Sequence, residues 1–243
     1  MSELASDTAL SSSPWRSFVK GCVAILPLSL AVLPWGLLAG SMAIESGMTA
    51  AQGVGMSVII FAGATQLAAM GMIKAGAGLV AMLISAFFIS SQHLLYGLTM
   101  RERIAPLPLR WRLILGFLLT DELFALIGEP REKAFDRWYA LGIGLFFYLF
   151  WIASTLAGAV AATQIEDLGS YGLDFSIAAT FIVIVVPLIK NLPTLVCVLT
   201  ALILSVVLGY FQVPSSLIIA GVIAMFAGLI TSLIVGDKPG EKS

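Results

Sequence analysis

The sequence predicts an all-α, polytopic integral membrane protein, a helical bundle of six to eight apolar segments with segments 51–73 and 113–127 broken or re-entrant. Three observations predict it. Apolar residues make up 59% of the 243-residue chain and charged residues only 11%, whereas a soluble domain carries about 25% charged residues to cover its surface. The mean hydropathy is +1.02. Most of the 13 basic and 14 acidic residues sit in short breaks between apolar runs, and those runs are roughly 20 residues long, the length that crosses a bilayer as a helix. This excludes a soluble fold. The net charge of −1 matters less than which loops hold Lys and Arg, and nucleic acid is no partner for such a surface.

Residues 1–20, rich in Ser and ending in the basic pair Arg16 and Lys20, read as a disordered cytoplasmic tail. Residues 21–235 form a single transmembrane transport domain, and residues 236–243 a short cytoplasmic tail. The first apolar stretch, Gly21 to Ala43, contains Pro27 and Pro34, which are expected to kink or break it. Seven more follow, approximately 51–73, 78–99, 113–127, 140–163, 175–189, 195–211 and 215–235. Small residues spaced four apart at Ala153, Ala157 and Ala161, and at Ala220, Ala224 and Gly228, predict close helix packing.

Loop charge decides how these stretches alternate. Arg101, Arg103, Arg110 and Arg112 cluster in one loop, and Arg131, Lys133 and Arg137 in the next; both belong on the cytoplasmic side. Simple alternation from a cytoplasmic N-terminus puts them on opposite faces. The conflict disappears if 51–73 and 113–127 enter and return, leaving six crossings with Lys74 as the one basic residue on the outer side. Both segments are unusual in themselves. The first holds Gly53, Gly55, Gly63 and Gly71 around Thr65 and Gln66, and the second is short and carries two acids. Interrupted segments of this kind build binding sites in transporters, because non-helical backbone survives at membrane depth only against protein or water.

Three polar clusters lie inside the apolar stretches. Asp121 and Glu122 occupy the middle of 113–127, where an acid costs about 2.5 to 3.5 kcal/mol on insertion scales and so needs a partner and a role. Their side chains point about 100° apart on a helix, so one can hold substrate while the other pairs with an arginine or His93. Gln92, His93 and Tyr96 form the second cluster, with Ser85, Gln92, Tyr96 and Thr99 on one helical face. His93 is a candidate proton carrier beside Asp121 and Glu122, since a free imidazole titrates near about pH 6.5. The third cluster is the run from Phe61 to Gln66. A break at Gly63 would expose the N–H groups of the following half-helix, an end that suits a carboxylate. Together with an acid for an ammonium group and apolar walls, these parts can hold a zwitterion with an aliphatic side chain.

Cys22 and Cys197 are two isolated cysteines and His93 is the sole histidine, so no metal site or cofactor is expected. The sequence lacks a Walker-type loop for ATP, which leaves a proton gradient as the energy source. An intramembrane acyltransferase with His93 as base is the rival from another class, weakened by the absence of Gly-x-Ser-x-Gly and His-Glu-x-x-His. An accessory subunit of another transporter is the third reading.

The runs Phe61-Ala62-Gly63-Ala64-Thr65-Gln66, Gln92-His93-Leu94-Leu95-Tyr96-Gly97 with Arg101 after it, and Thr120-Asp121-Glu122-Leu123-Phe124 resemble, in order and spacing, the AzlC-like family, the large subunits of bacterial branched-chain amino acid exporters. The likeness runs from about Trp15 to Val235. It departs from the family pattern at Gln92, where an arginine is frequent, and in the short link 190–193. The resemblance implies a multi-pass protein of the bacterial inner membrane with a cytoplasmic N-terminus. It implies export of leucine, isoleucine, valine or similar neutral amino acids, with a small membrane partner of the AzlD type. The positions it carries over as pathway or binding candidates are Gly63, Ala64, Thr65, Gln66, His93, Tyr96, Gly97, Asp121, Glu122 and Phe124, and Gln92 joins them from the polar face.

Overall fold

A computed structural model describes residues 13–128, 135–164, 185–211 and 216–235, with positions 175, 179, 182 and 213. Most of these residues are helical, and no strand occurs among them. The chain divides into two compact units, 1–180 and 181–243.

In the first unit, α1 spans Pro14–Glu45. It starts earlier than the expected tail boundary, because Pro14 takes the first helical turn, where a missing N–H costs nothing. Pro27 and Pro34 do not interrupt it; the helix is held along its length by α8, Arg137–Ala162, its most extensive neighbour. The glycines explain the contact. Gly21 lies on the backbone of Tyr139 and Ile143, Gly142 on that of Phe18, Gly40 on that of Thr155 and Ala159, and Gly158 on that of Leu37. A methyl at any of these positions would strike backbone, so the absence of side chains is what lets the two helices touch. Pairing numbers rise together along both helices, so α1 and α8 run parallel and their N-termini share one end.

That end is basic. Arg137 lies 5.0 Å from the ring of Trp111, and Trp111 and Trp138 meet edge to face at 4.9 Å. The guanidinium of Arg103 donates to the carbonyl of Ile127 and lies 5.1 Å over the Phe135 ring. The four-arginine loop therefore sits at the same end as the start of α8 and of α1, which is the parity that charge alone demanded. At the opposite end Lys74 pairs with Glu45 at 3.1 Å, so the one basic residue out of place is neutralised where it stands.

Two hairpins enter this framework from opposite ends. α2, Ala50–Ile60, begins beside the end of α1 with a capping box in which the Thr49 hydroxyl accepts from Gln52 N and the Gln52 side chain accepts from Thr49 N. It stops halfway, at Phe61 and Ala62, and α3, Gly63–Lys74, returns to the end it came from. Met70 C=O there accepts from the Ser46 hydroxyl at 3.0 Å. Phe61 turns the chain with φ +39° and ψ +47°, a left-handed conformation that costs a side-chain-bearing residue roughly 1–2 kcal/mol. Contacts with the rings of Tyr148, Phe147 and Phe117 at 4.9, 6.0 and 6.1 Å hold it there.

From the basic end, α6, Leu109–Phe117, rises to the same depth, breaks at Leu118–Thr120 and returns as α7, Asp121–Ile127. Leu118 fills the space left by Gly144 of α8. Segments 51–73 and 113–127 are thus both broken, and their tips meet midway through Phe61 and Phe117. Between the hairpins runs α4, Leu79–Ser90, continued by α5, Gln92–Ile104. Ser91 between them keeps right-handed helical dihedrals, and the combined 26-residue run Leu79–Ile104 is long and apolar enough to cross a membrane, as are α1 and α8.

In the second unit, α9, Leu192–Tyr210, starts at Asn191, whose side chain accepts from Thr194 N at 3.0 Å. It packs on α10, Ser216–Val235, through the stripe expected there: Ala220 and Ala224 are buried, and Gly228 rests on Cys197 and Pro193. The other stripe behaves differently. Ala153 and Ala157 are exposed, and α8 buries Trp151, Ser154, Thr155, Gly158 and Ala159 instead, because Gly142, Gly158 and Ala159 lie on the side that meets α1. Most of 165–184 and all of 236–243, where further loop acids and the C-terminal tail were placed, lie outside the described residues.

Candidate functional site

The three polar clusters, separated by up to 60 residues of sequence, meet where the hairpin tips touch. They line one cavity of about 30 Å³, into which Gly63, Ala64 and Thr65 of α3, Gln92 and His93 of α5, and Asp121 and Glu122 of α7 all project or present backbone. The remaining wall is apolar, with Val32 and Trp35 from α1, Phe147 and Trp151 from α8, and Phe61 and Ile89.

Each polar group is held by its own element. Asp121 is the first residue of α7, after Thr120, whose hydroxyl accepts from Leu123 N at 3.4 Å. The Asp121 carboxylate accepts from Gln92 Nε2 at 3.2 Å and from the Tyr96 hydroxyl. Gln92 and Tyr96 stand four apart on α5, so one helical face supplies both donors. Phe124, one turn after Asp121, stacks on the Tyr96 ring at 4.3 Å and fixes the phenol in position. Glu122 is buried in the lining of the same cavity.

This arrangement corrects one expectation. Neither acid is paired with an arginine or with His93: Asp121 is satisfied by two neutral donors, and Arg103 reaches the backbone of Ile127 at the basic end. His93 sits with Nδ1 3.1 Å from the Ser90 carbonyl and its ring edge-on to Tyr96 at 5.9 Å. The polar face of α4 and α5 is only partly realised. Gln92 and Tyr96 converge on Asp121, whereas Thr99 bonds the Leu95 carbonyl of its own helix at 2.9 Å.

The Phe61–Gln66 run divides into two roles. The break falls at Phe61 and Ala62, and Gly63 opens α3, whose N-cap residue Ala62 offers no side-chain cap. Thr65 pairs with Ser90 across to α4 at 2.8 Å. Gln66 does not line the cavity. Its side chain is fully buried behind it, bonded to Ser57 and Trp151. Trp35, Trp151, Ser57 and Thr155 escaped the sequence reading. A signal for the two tryptophans was present, since Trp gathers at membrane interfaces and these two lie near the middle of long apolar runs. Among the described residues no group of three or more His, Cys, Asp or Glu side chains comes together as a metal site.

Comparison with known proteins finds relatives of this sequence. The profile described as AzlC protein matches residues 27–165, more than half of the chain and all of the cavity-lining elements. An uncharacterized membrane protein of Archaeoglobus fulgidus is 32% identical over 72% of this chain and 77% of its own. The inner membrane protein YgaZ of Escherichia coli is 28% identical over 90% of both chains. The branched-chain amino acid transport protein AzlC of Bacillus subtilis is 26% identical over 88% of this chain and 87% of its own. No solved structure matches the chain.

Proposed function

The chain belongs to the AzlC protein family, and from that premise we propose that it exports branched-chain or similar small neutral amino acids across the bacterial inner membrane. In this reading it is a proton-driven secondary transporter, not an enzyme, and works with a small AzlD-type membrane subunit. The observation that carries the reading is the cavity at the meeting point of two opposed hairpins, whose lining combines two acids with apolar side chains. A zwitterion with an aliphatic side chain combines the same two chemistries.

Asp121 faces the cavity and receives the ammonium group; Tyr96 and Gln92 hold its carboxylate in place. The N–H groups at the start of α3, from Gly63 to Thr65, receive the substrate carboxylate. Glu122, adjacent and buried, carries the proton, with Asp121 and His93 as the other ionisable groups of the same cavity. A volume of about 30 Å³ admits water but not an amino acid, since a cavity of about 150 Å³ is what takes up benzene. Transport in this reading requires the hairpins to part, one opening the cavity towards each end. The basic end, with Arg16, Lys20 and the arginine loop, is cytoplasmic, which makes the N-terminus cytoplasmic as well.

The test is leucine efflux from bacterial cells lacking their own branched-chain exporters and loaded with a leucine-containing dipeptide. The protein is expressed alone and with a small AzlD-type subunit. Faster appearance of leucine outside only when both are present is the expected result. Unchanged efflux in both cases, with the protein confirmed in the membrane, would remove the reading.

A further inference from the structure

Resting on the transport reading above, we propose that the paired indoles of Trp35 and Trp151, both resting on Gly63 and the second held by Gln66, select the substrate side chain by size. The two rings stand at 89° with centroids 5.9 Å apart, one from α1 and one from α8, and both line the cavity. A Cβ added to Gly63 would sit 3.1 Å from Trp151 Cη2 and 3.1 Å from Trp35 Cζ2. The start of α3 thus rests directly on the edges of both indoles, and a glycine there sets how far they stand back.

A closed ring of hydrogen bonds fixes Trp151. Gln66 Nε2 donates to Ser57 Oγ at 2.7 Å, Ser57 Oγ to Thr155 Oγ1 at 2.8 Å, and Thr155 Oγ1 to the Trp151 carbonyl at 3.0 Å. Trp151 Nε1 closes the ring on Gln66 Oε1 at 3.3 Å. Gln66, Ser57 and Thr155 are each 0% exposed. Fully satisfied buried polar rings of this kind stiffen what they join, and this one joins both arms of the α2–α3 hairpin to α8. Gln66 is therefore a positioning residue, acting on the substrate through the Trp151 ring. A wall with fixed indoles discriminates by volume, and one methylene against such a wall changes selection by about 10- to 200-fold.

The test compares leucine with phenylalanine efflux from dipeptide-loaded cells. Trp151→Leu should raise the phenylalanine-to-leucine ratio by about tenfold or more. Gly63→Ala should shift selection the other way, favouring alanine over leucine, because its methyl presses the indoles into the cavity. Gln66→Met should shift the ratio in the same direction as Trp151→Leu by a smaller factor, an outcome that lost stability alone would not produce. In purified protein with Trp15, Trp111 and Trp138 replaced by Phe, leucine should change the fluorescence of the remaining pair. Leucine export by the wild type with unchanged ratios in all three variants, or without a fluorescence response, would overturn the size wall and leave the transport reading standing. Absence of export by the wild type together with no fluorescence response in the two-tryptophan protein would overturn the transport reading, and the wall with it.

Discussion

Replacing Asp121 by Asn removes one charge and very little volume, which makes it the sharpest probe of the cavity. The asparagine carbonyl still accepts from the Tyr96 hydroxyl, while its amide group now faces Gln92, which satisfies it by turning its own carbonyl inward. The change in folding stability is therefore that of trading a charged for a neutral acceptor, about 1 kcal/mol. The loss to a bound ammonium is larger. Two unit charges 4 Å apart interact by about 4 kcal/mol at an effective dielectric of 20, which corresponds to nearly a thousandfold in affinity. Leucine efflux from dipeptide-loaded cells should fall to background in Asp121→Asn, while the detergent-solubilised protein keeps its elution position and amount. Efflux at the wild-type rate would refute the assignment of Asp121 to the substrate.

Other expectations follow from packing and topology. Gly158→Val should lower the thermal midpoint of the solubilised protein by the equivalent of at least 1–3 kcal/mol, because its side chain would enter the backbone of Leu37; Gly55→Ala, with open space around it, should leave the midpoint unchanged or raise it slightly. Ser57→Ala takes a partner from buried Gln66 and should cost about 1–3 kcal/mol, measured in the same melt. In a background with Cys22 and Cys197 replaced by Ala, a membrane-impermeant thiol reagent added outside intact cells should label Glu45→Cys and spare Arg110→Cys. Equal labelling of the two would contradict the placement of these residues at opposite ends.

The broken segments were legible in the sequence because a membrane punishes interrupted helices so severely. The glycines of 51–73, the shortness of 113–127 and the parity of two arginine loops all bear on backbone that cannot be satisfied by lipid. Spacing left open whether Gly63, Gln92 and Asp121 meet; the opposed hairpins bring them to one cavity. Side-chain partnership was less legible. Charge logic pointed one of the two acids at an arginine or at His93, but Arg103 is used at the basic end, and Gln92 with Tyr96 supplied Asp121 with two neutral donors from a single face. The packing face of α8 was misread from its alanines because Gly142 and Gly158, which permit closer approach, lie on another side. Gln66 looked like a site residue by its motif, yet its partners Ser57 and Trp151 are 9 and 85 residues away, the second a distance no local pattern encodes.

The parallel contact of α1 with α8 also sets a timetable for making the protein. Cys22 touches Gly142 across 120 residues of sequence, and at about 5–20 residues per second of synthesis α1 is in the bilayer for roughly 6 to 24 seconds before the surface it fits exists. During that interval its glycine-lined groove faces lipid, and the first hairpin has no Phe147 or Trp151 on which to settle its tip. Insertion and assembly are thus separate events for the first half of this chain, and the arrival of α8 is the step at which the cavity comes into being.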